Sequence, residues 1–318
     1  MPFISIIIPN YNHAPYLTER IESVLNQTYQ NFEVIILDDC STDNSREIIE
    51  EYRNHAKISH IIFNEQNSGS TFKQWNKGVS MAKGEWIWIA ESDDCANKHL
   101  IEKLIFPTIK DKSIVLSYCQ SNRLNSNGII TGDWHNHTTH LERDYKVNFI
   151  TGGISFIKED LLDRNVIPNA SAVIFNKKAF IKAGCTDEDI QYNSDWLLWM
   201  KILVGGNISY TSEILNNFRY HSNSVIAKAS SHYKIPFYRR YDIIMMKRFL
   251  EFVKDQSIKK LIQPTKESLY KFSYQEFEFL TKKRFYKKSF NYLMLSLIYS
   301  PHKTKTLMYG IKFLKNYY

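Results

Sequence analysis

No apolar run in this 318-residue chain reaches the roughly 18–20 residues that a membrane-spanning helix requires, which excludes an ordinary spanning segment. The opening run Phe3–Ile8 is too short for a signal peptide and has no basic leader, so it reads as a strand. Cysteine is sparse: Cys40, Cys95, Cys119 and Cys185 show no CxxC pairing, which argues against a zinc ribbon or disulfide frame and fits reduced thiols in a cytosolic protein. There is no internal repeat, and no glycine-rich basic loop follows the first strand. What remains is 43% hydrophobic and 14% aromatic, enough to bury a substantial core in one large domain with an appendage, or in two domains.

The first ~110 residues alternate short apolar runs with amphipathic stretches of helical length, the pattern of βα units feeding a parallel sheet. Strands are expected at Phe3–Ile8, Phe32–Leu37, Ser59–Phe63, Glu85–Ala90 and Ile114–Tyr118. Helices are expected at Ala14–Gln27, Asn44–Asn54, Ser70–Ala82 and Asn97–Ile109, with N-cap chemistry for the second from Ser41-Thr42-Asp43. Farther on, Asn125-Ser126-Asn127-Gly128 reads as a hairpin turn and Asp133–Tyr145 as a long loop. Ala172–Asn176 reads as a strand and Ser194–Val204 as an amphipathic helix, followed by closing strands at Ile208–Thr211 and Glu213–Tyr220. Beyond a boundary near residue 225, Tyr233–Phe252, Gln263–Phe279 and Lys283–Tyr299 are helical in spacing, aromatic and basic.

In such sheets, sites gather at the carboxyl ends of the strands. Three polar clusters fall there: Pro9-Asn10-Tyr11-Asn12, Asp38-Asp39 and Glu91-Ser92-Asp93-Asp94. The last is the most telling, because three carboxylates within four residues at the end of a buried strand repel one another unless a cation sits among them. Hard oxygen ligands of this kind suit Mg²⁺ or Mn²⁺, the ions that commonly hold substrate phosphates.

With Asn67-Ser68-Gly69 and Asn76-Lys77-Gly78 lying between these clusters, the order of motifs over residues 3–225 resembles the nucleotide-sugar-binding half of a family-2 inverting glycosyltransferase of GT-A fold. The resemblance implies that Pro9, Tyr11 and Asn12 line the nucleobase and ribose pocket, and that Asp39 accepts from a uracil imide with Asn67 nearby. It implies that Glu91, Ser92 and Asp93 stand at the family's DxD motif, Asp93 binding the cation that bridges the diphosphate. Asp195, opening an apolar helix, corresponds to the general base, while Arg219 and His221 match a closing element that meets diphosphate or metal. Two departures stand out: Glu91 replaces the first Asp, and Trp75 occupies a position where many relatives carry a phosphate-contacting Arg, a charge for which Lys73 is the nearby substitute.

The expected activity is therefore transfer from a UDP-linked sugar, with inversion, to a growing surface glycan such as lipopolysaccharide or capsule, or to a lipid-linked oligosaccharide. Rival readings are a nucleotidyltransferase, which would want the missing basic glycine loop, and a nucleic-acid-binding protein using the basic tail. The net charge of +8 is uneven: residues 1–225 hold 21 Lys and Arg against 27 Asp and Glu, and residues 226–318 hold 20 against 6. The tail thus either lies on an anionic membrane surface, placing a cytoplasmic enzyme on the inner face, or is a helical bundle that packs on the catalytic domain or forms a homodimer; its aromatics at helical spacing argue against nucleic acid.

Overall fold

The apolar runs that end in polar clusters form the centre of the sheet. In the computed structural model, which describes all residues except 140, 163, 191, 222–223, 225–237, 262–263 and 318, the first strand β1 (Ile4–Asn10) is flanked by β2 (Phe32–Asp38) and β4 (Trp86–Ile89), with β3 (Ile58–Phe63) outside β2. All three pairings are parallel and are shifted so that Asn10 faces Asp38 and Ile7 faces Ile89. Every residue of β1, β2 and β4 is buried, as expected for parallel strands covered on both faces.

Helices α1 (Ala14–Leu25), α2 (Ser45–Glu51) and α3 (Thr71–Met81) complete the crossovers. Asp43 does more than begin α2: it accepts from Ser45 N at 3.0 Å and from Ala14 N at 2.9 Å, so it holds the first turns of two helices together. Gly78 lets α3 lie directly on β1, since a Cβ there would meet Ile7 Cγ2 at 2.5 Å. A short β5 (Cys95–Ala96) precedes α4 (Leu100–Lys110), which starts three residues later than its sequence suggested.

The sheet continues from β4 through β9 (Val173–Asn176), antiparallel to it, to β6 (Ile114–Leu124) and β10 (Asn207–Arg219). The strand order is β3-β2-β1-β4-β9-β6-β10-β5, with β7 (Ile130–Asp133) paired to β6 and β8 (Phe149–Gly152) to β10. The two closing strands expected at 208–220 are one continuous strand with irregular register near Thr211 and Ile214. The hairpin at Asn125–Gly128 is present, Gly128 adopting φ +78 and the Asn125 side chain accepting from Asn127 N and Ile129 N. Beyond that hairpin, whose second strand is β7, the 119–170 stretch adds β8 and the helix α5 (Gly153–Phe156), extended by a wider turn at Ile157–Leu161.

After α6 (Lys177–Lys182) and α7 (Ser194–Leu203), the expected boundary at residue 225 and the start of the expected helix at Tyr233 lie outside the described residues. The helices that follow are α8 (Tyr238–Phe252), α9 (Gln256–Leu261), α10 (Pro264–Lys282), α11 (Tyr286–Tyr299) and α12 (Lys303–Lys315). They are not a detached bundle. Ile243, Met246 and Phe249 of α8 and Leu269 of α10 belong to the same hydrophobic cluster as Trp199 and Leu203 of α7, Phe175 of β9 and Ile7 of β1. Polar ties reinforce the seam: Asp187 receives Lys201 Nζ at 2.7 Å and Arg248 Nη1, and Asn193 donates to Asp242.

Candidate active site

The polar residues at the ends of β1 and β2 interlock. Asn10 Nδ2 donates to Asp38 Oδ2 at 2.8 Å, and Asn12 accepts from Thr42 N at 2.7 Å. Asn12 and Cys40 turn the chain with φ of +57 and +64, a conformation Asn tolerates better than most residues. Pro9 is buried beside Leu37, whereas Tyr11, just beyond the end of β1, is 43% exposed.

Asp39 is buried, and its carboxylate accepts from Asn64 Nδ2 (2.6 Å), Gln74 Nε2 (2.9 Å), Ser68 N (2.9 Å) and Ser68 Oγ (2.8 Å). Asn67 closes the same turn, donating to the Asp39 carbonyl at 3.0 Å and accepting from Gly69 N. Four donor groups engage the carboxylate within the protein, so it organises the 64–74 loop. Lys73 is exposed and folds back to the Ser68 carbonyl at 3.1 Å.

The end of β4 is built differently. Trp75 Nε1 donates to Glu91 Oε1 at 2.7 Å, with Thr71 Oγ1 at 3.3 Å from the same oxygen, so α3 supports both the Asp39 loop and Glu91. Burial, and next the charge of Asp93, push the Glu91 carboxyl up to about 8. Trp75, the departure noted in the sequence, is a buried neutral donor and does not offset that charge as an arginine would. Asp94 is buried as well; it accepts from Arg219 N at 2.9 Å, and Arg20 Nη2 lies 3.9 Å away. Burial followed by Asp93 raises its carboxyl too, against the pull of Arg20.

Asp93 goes the other way. Burial opposes its ionisation, but a hydrogen bond from His221 and the neighbouring His13 bring it below the usual carboxylate range. His221 Nε2 lies 3.1 Å from Asp93 Oδ2, and His13 meets Ser92 Oγ through Nδ1 at 2.8 Å. The two imidazole rings stand edge to face, 5.3 Å apart. One ligand atom each from His13, Asp93 and His221 lies within 4.8 Å of the other two, a spacing that fits a single divalent cation. Among the described residues this is the one group of three or more such side chains so arranged.

Arg219 is buried behind this cluster: Nε donates to the Asp93 carbonyl at 2.9 Å, Nη2 pairs with Glu19 at 2.5 Å, and the guanidinium lies 4.7 Å from the Tyr16 ring centroid. It holds the Asp93 backbone in place from beneath the cluster. Ser92 likewise points into the protein, toward His13. His13 carried no role in the sequence reading; the signal available was its place immediately after Pro9–Asn12, at the same strand end.

Asp195 sits in the first turn of α7, after Asn193 with φ +63. Burial raises its carboxyl, opposed by the backbone N–H groups of Trp196 and Asp195, and Asn165 Nδ2 lies 3.4 Å from Oδ2. One turn on, the Trp199 ring is 6.3 Å from Trp75, so the helix bearing Asp195 packs behind the residue that holds Glu91.

A mixed sheet with a parallel β3-β2-β1-β4 half, this acidic strand end, an antiparallel β9 inserted beside it and helices on its faces defines a GT-A type α/β protein. The Glycosyl transferase family 2 model matches residues 5–165, half of the chain, and the chain belongs to that family. It is 34% identical over 182 residues to the glycosyltransferase GlyG of Streptococcus pneumoniae serotype 4, a match covering 56% of this chain and 54% of GlyG. It is 27% identical over 225 residues to the putative teichuronic acid biosynthesis glycosyltransferase TuaG of Bacillus subtilis, covering 70% and 81%. The chain thus spans about half the length of GlyG and more of TuaG. In fold it is similar to residues 1–349 of Staphylococcus aureus TarS in complex with UDP-GlcNAc, with a TM-score of 0.69 at 20% identity, covering 100% of this chain and 89% of that one.

Proposed function

We propose that this protein is an inverting glycosyltransferase that moves a hexose or N-acetylhexosamine from a UDP-linked donor to a hydroxyl of a bacterial surface glycan or its lipid-linked precursor. The observation that carries this reading is the convergence of His13, Asp93 and His221 at the end of β4, beside the loops that follow β1 and β2. These three residues would hold the divalent cation. Two imidazoles and one carboxylate favour Mn²⁺ over Mg²⁺, which prefers an all-oxygen shell. When bound, such an ion neutralises the diphosphate that must leave.

The chain's own residues perform the remainder. Tyr11, exposed just beyond the end of β1, is the surface on which the nucleobase rests, with the Asp39-braced 64–74 loop closing its edge. Glu91, gripped at Oε1 by Trp75 Nε1, turns its carboxyl toward the ribose or sugar. Asp195 takes the proton from the acceptor hydroxyl as that oxygen attacks the anomeric carbon, and the nucleoside diphosphate departs from the opposite face. Inversion then converts an α-linked donor into a β-linked product. Arg219 acts by positioning Asp93 through its carbonyl.

TarS, solved with UDP-GlcNAc, supports a UDP donor, and TuaG, named for teichuronic acid biosynthesis, supports a cell-surface acceptor. We place the enzyme in the cytoplasm, peripherally on the inner membrane face, where lipid-linked acceptors are accessible. The deciding experiment is calorimetric titration of UDP-GlcNAc with and without Mn²⁺, followed by proton NMR of the product. Mn²⁺-dependent binding and a β-anomeric proton are expected. Tight binding indifferent to Mn²⁺, or an α-linked product, would overturn the reading.

A further inference from the structure

We propose that the outer face of the α11–α12 hairpin is a docking surface for an anionic lipid bilayer. The hairpin is closed from within: a Cβ on Gly310 would meet Leu293 Cδ1 at 2.5 Å, Ser300 and Thr306 hydroxyls bond at 2.7 Å, and Tyr286 OH donates to the Tyr317 carbonyl. The start of α11 therefore lies beside the end of α12, and the two helices run antiparallel. Their inward positions, Ser289, Leu293 and Ser296 on α11 and Thr306 and Gly310 on α12, are buried.

The outward positions are large and apolar. Phe290, Met294 and Ile298 recur every fourth residue on α11 and are 51%, 46% and 65% exposed. On α12, Leu307, Met308 and Ile311 are 40%, 68% and 45% exposed. Leaving six such side chains in water on two short helices is costly, and an apolar partner removes that cost.

Charge identifies the partner. After Glu278 the chain contains nine Lys and Arg and no Asp or Glu. Lys287, Lys288, Lys312 and Lys315 are exposed on the same two helices as the apolar residues. A face that combines aliphatic and aromatic side chains with lysines alone matches acyl chains beneath anionic headgroups. A second copy of this chain fits poorly, because two identical faces would press unbalanced lysines together. No helix among the described residues is long and apolar enough to cross a membrane, so the hairpin lies on the surface. From there α11 packs on α10, α10 on α8, and α8 on α7, the helix that carries Asp195.

This deepens, and rests on, the peripheral placement proposed above; it does not depend on the transfer chemistry. The test is flotation of the full-length protein with vesicles of phosphatidylcholine alone or mixed with phosphatidylglycerol. Wild type should float with the mixed vesicles only, and the Phe290→Glu, Ile298→Glu, Met308→Glu triple variant should partition about tenfold less or worse. Unchanged melting temperature and UDP-GlcNAc binding would show that the variant is folded. Equal flotation of wild type and folded variant would reject this face. A concentration-dependent dimer that the variant abolishes would assign the face to a second copy and reject the bilayer. Wild type that fails to float at all would remove the peripheral placement as well, while flotation without sugar-nucleotide binding would leave the surface standing and sink the transferase reading.

Discussion

The carboxyl ends of β2 and β4 both carry paired carboxylates, yet they are built to opposite purposes. At β2, Asp39 is met by the Asn64 amide, the Ser68 backbone N–H and hydroxyl, and the Gln74 amide from the first turn of α3, and Asp38 by Asn10 and Ser41. Neutral donors from the protein satisfy those oxygens. At β4, Glu91 and Asp94 are pushed toward the protonated form while Asp93 is kept ionised by two facing imidazoles. A carboxylate satisfied internally shapes a loop; one ionised carboxylate among imidazoles is a place for a cation. The same residue type, at the same topological position, acquires its role from what faces it.

That contrast is broken most directly at Asp93. Asp93→Asn removes the one carboxylate kept ionised in the cluster, so Mn²⁺ affinity, followed by electron paramagnetic resonance, should fall at least about a hundredfold and transfer by about 10³ or more. Unchanged Mn²⁺ affinity would remove Asp93 from the metal set and erase the distinction between the two strand ends.

Asp195→Asn comes next, with an expected loss of about 10²–10⁴ in kcat at unchanged Mn²⁺ and donor binding. Burial raises the Asp195 carboxyl above its value in the unfolded chain. The folded protein therefore holds this proton to higher pH, and the stability linked to it is full below the unfolded value and lost as pH rises through the folded one. Two consequences can be measured. The rate of the wild type should rise with pH through that raised value, a limb absent from the variant, and the variant should melt no lower than wild type at neutral pH. A lower melting temperature with the limb intact would make Asp195 a helix-capping residue only.

Asp39→Asn sharpens the comparison from the other side. Its amide would present an N–H to four donors, leaving buried partners unsatisfied, at a cost of about 2–4 kcal/mol. Chemical denaturation should record that loss, while Mn²⁺ affinity of the folded protein stays within about twofold of wild type. Full stability would mean that the 64–74 loop is held by something else.

The parallel half of the fold was readable because β1, β2 and β4 are buried on both faces and must therefore be uninterrupted apolar runs ending in polar turns. Of the antiparallel additions, the hairpin that leads into β7 and the strand β9 were legible from turn residues and an apolar run, whereas β8, four residues long and half exposed, carries no periodic signal. At the site, residues that act through a side chain at a strand end, such as Asp93, announced themselves. Long-range pairings did not. Trp75 reaches Glu91 across 16 positions, His13 reaches Ser92 across 79 and Arg219 reaches Glu19 across 200. Such pairs exist only after the sheet assembles. Packing of the C-terminal helices on the rest of the fold is one of the two alternatives the sequence leaves open, but the residues of the join are not legible there: the shift in charge near residue 225 suggests a boundary, while Ile243, Met246 and Phe249 extend one core across it.

The smallest effect tests that join. Arg248 is partly exposed and pairs with Asp187 and Asp189 just before α7, where Lys201 also meets Asp187. Solvent screens such a pair, so Arg248→Ala should cost about 1 kcal/mol or less, a fall of about 1–2 °C in melting temperature. Its value lies in what changes alongside. If α8 helps to set the first turn of α7, kcat should drop by about two- to fivefold while donor binding and Mn²⁺ affinity remain at wild-type levels, because Asp195 moves and the β4 cluster does not. Arg248→Lys keeps the charge and should recover most of the rate. A variant that loses stability but keeps full kcat would leave the C-terminal helices as a packed support with no hold on the base.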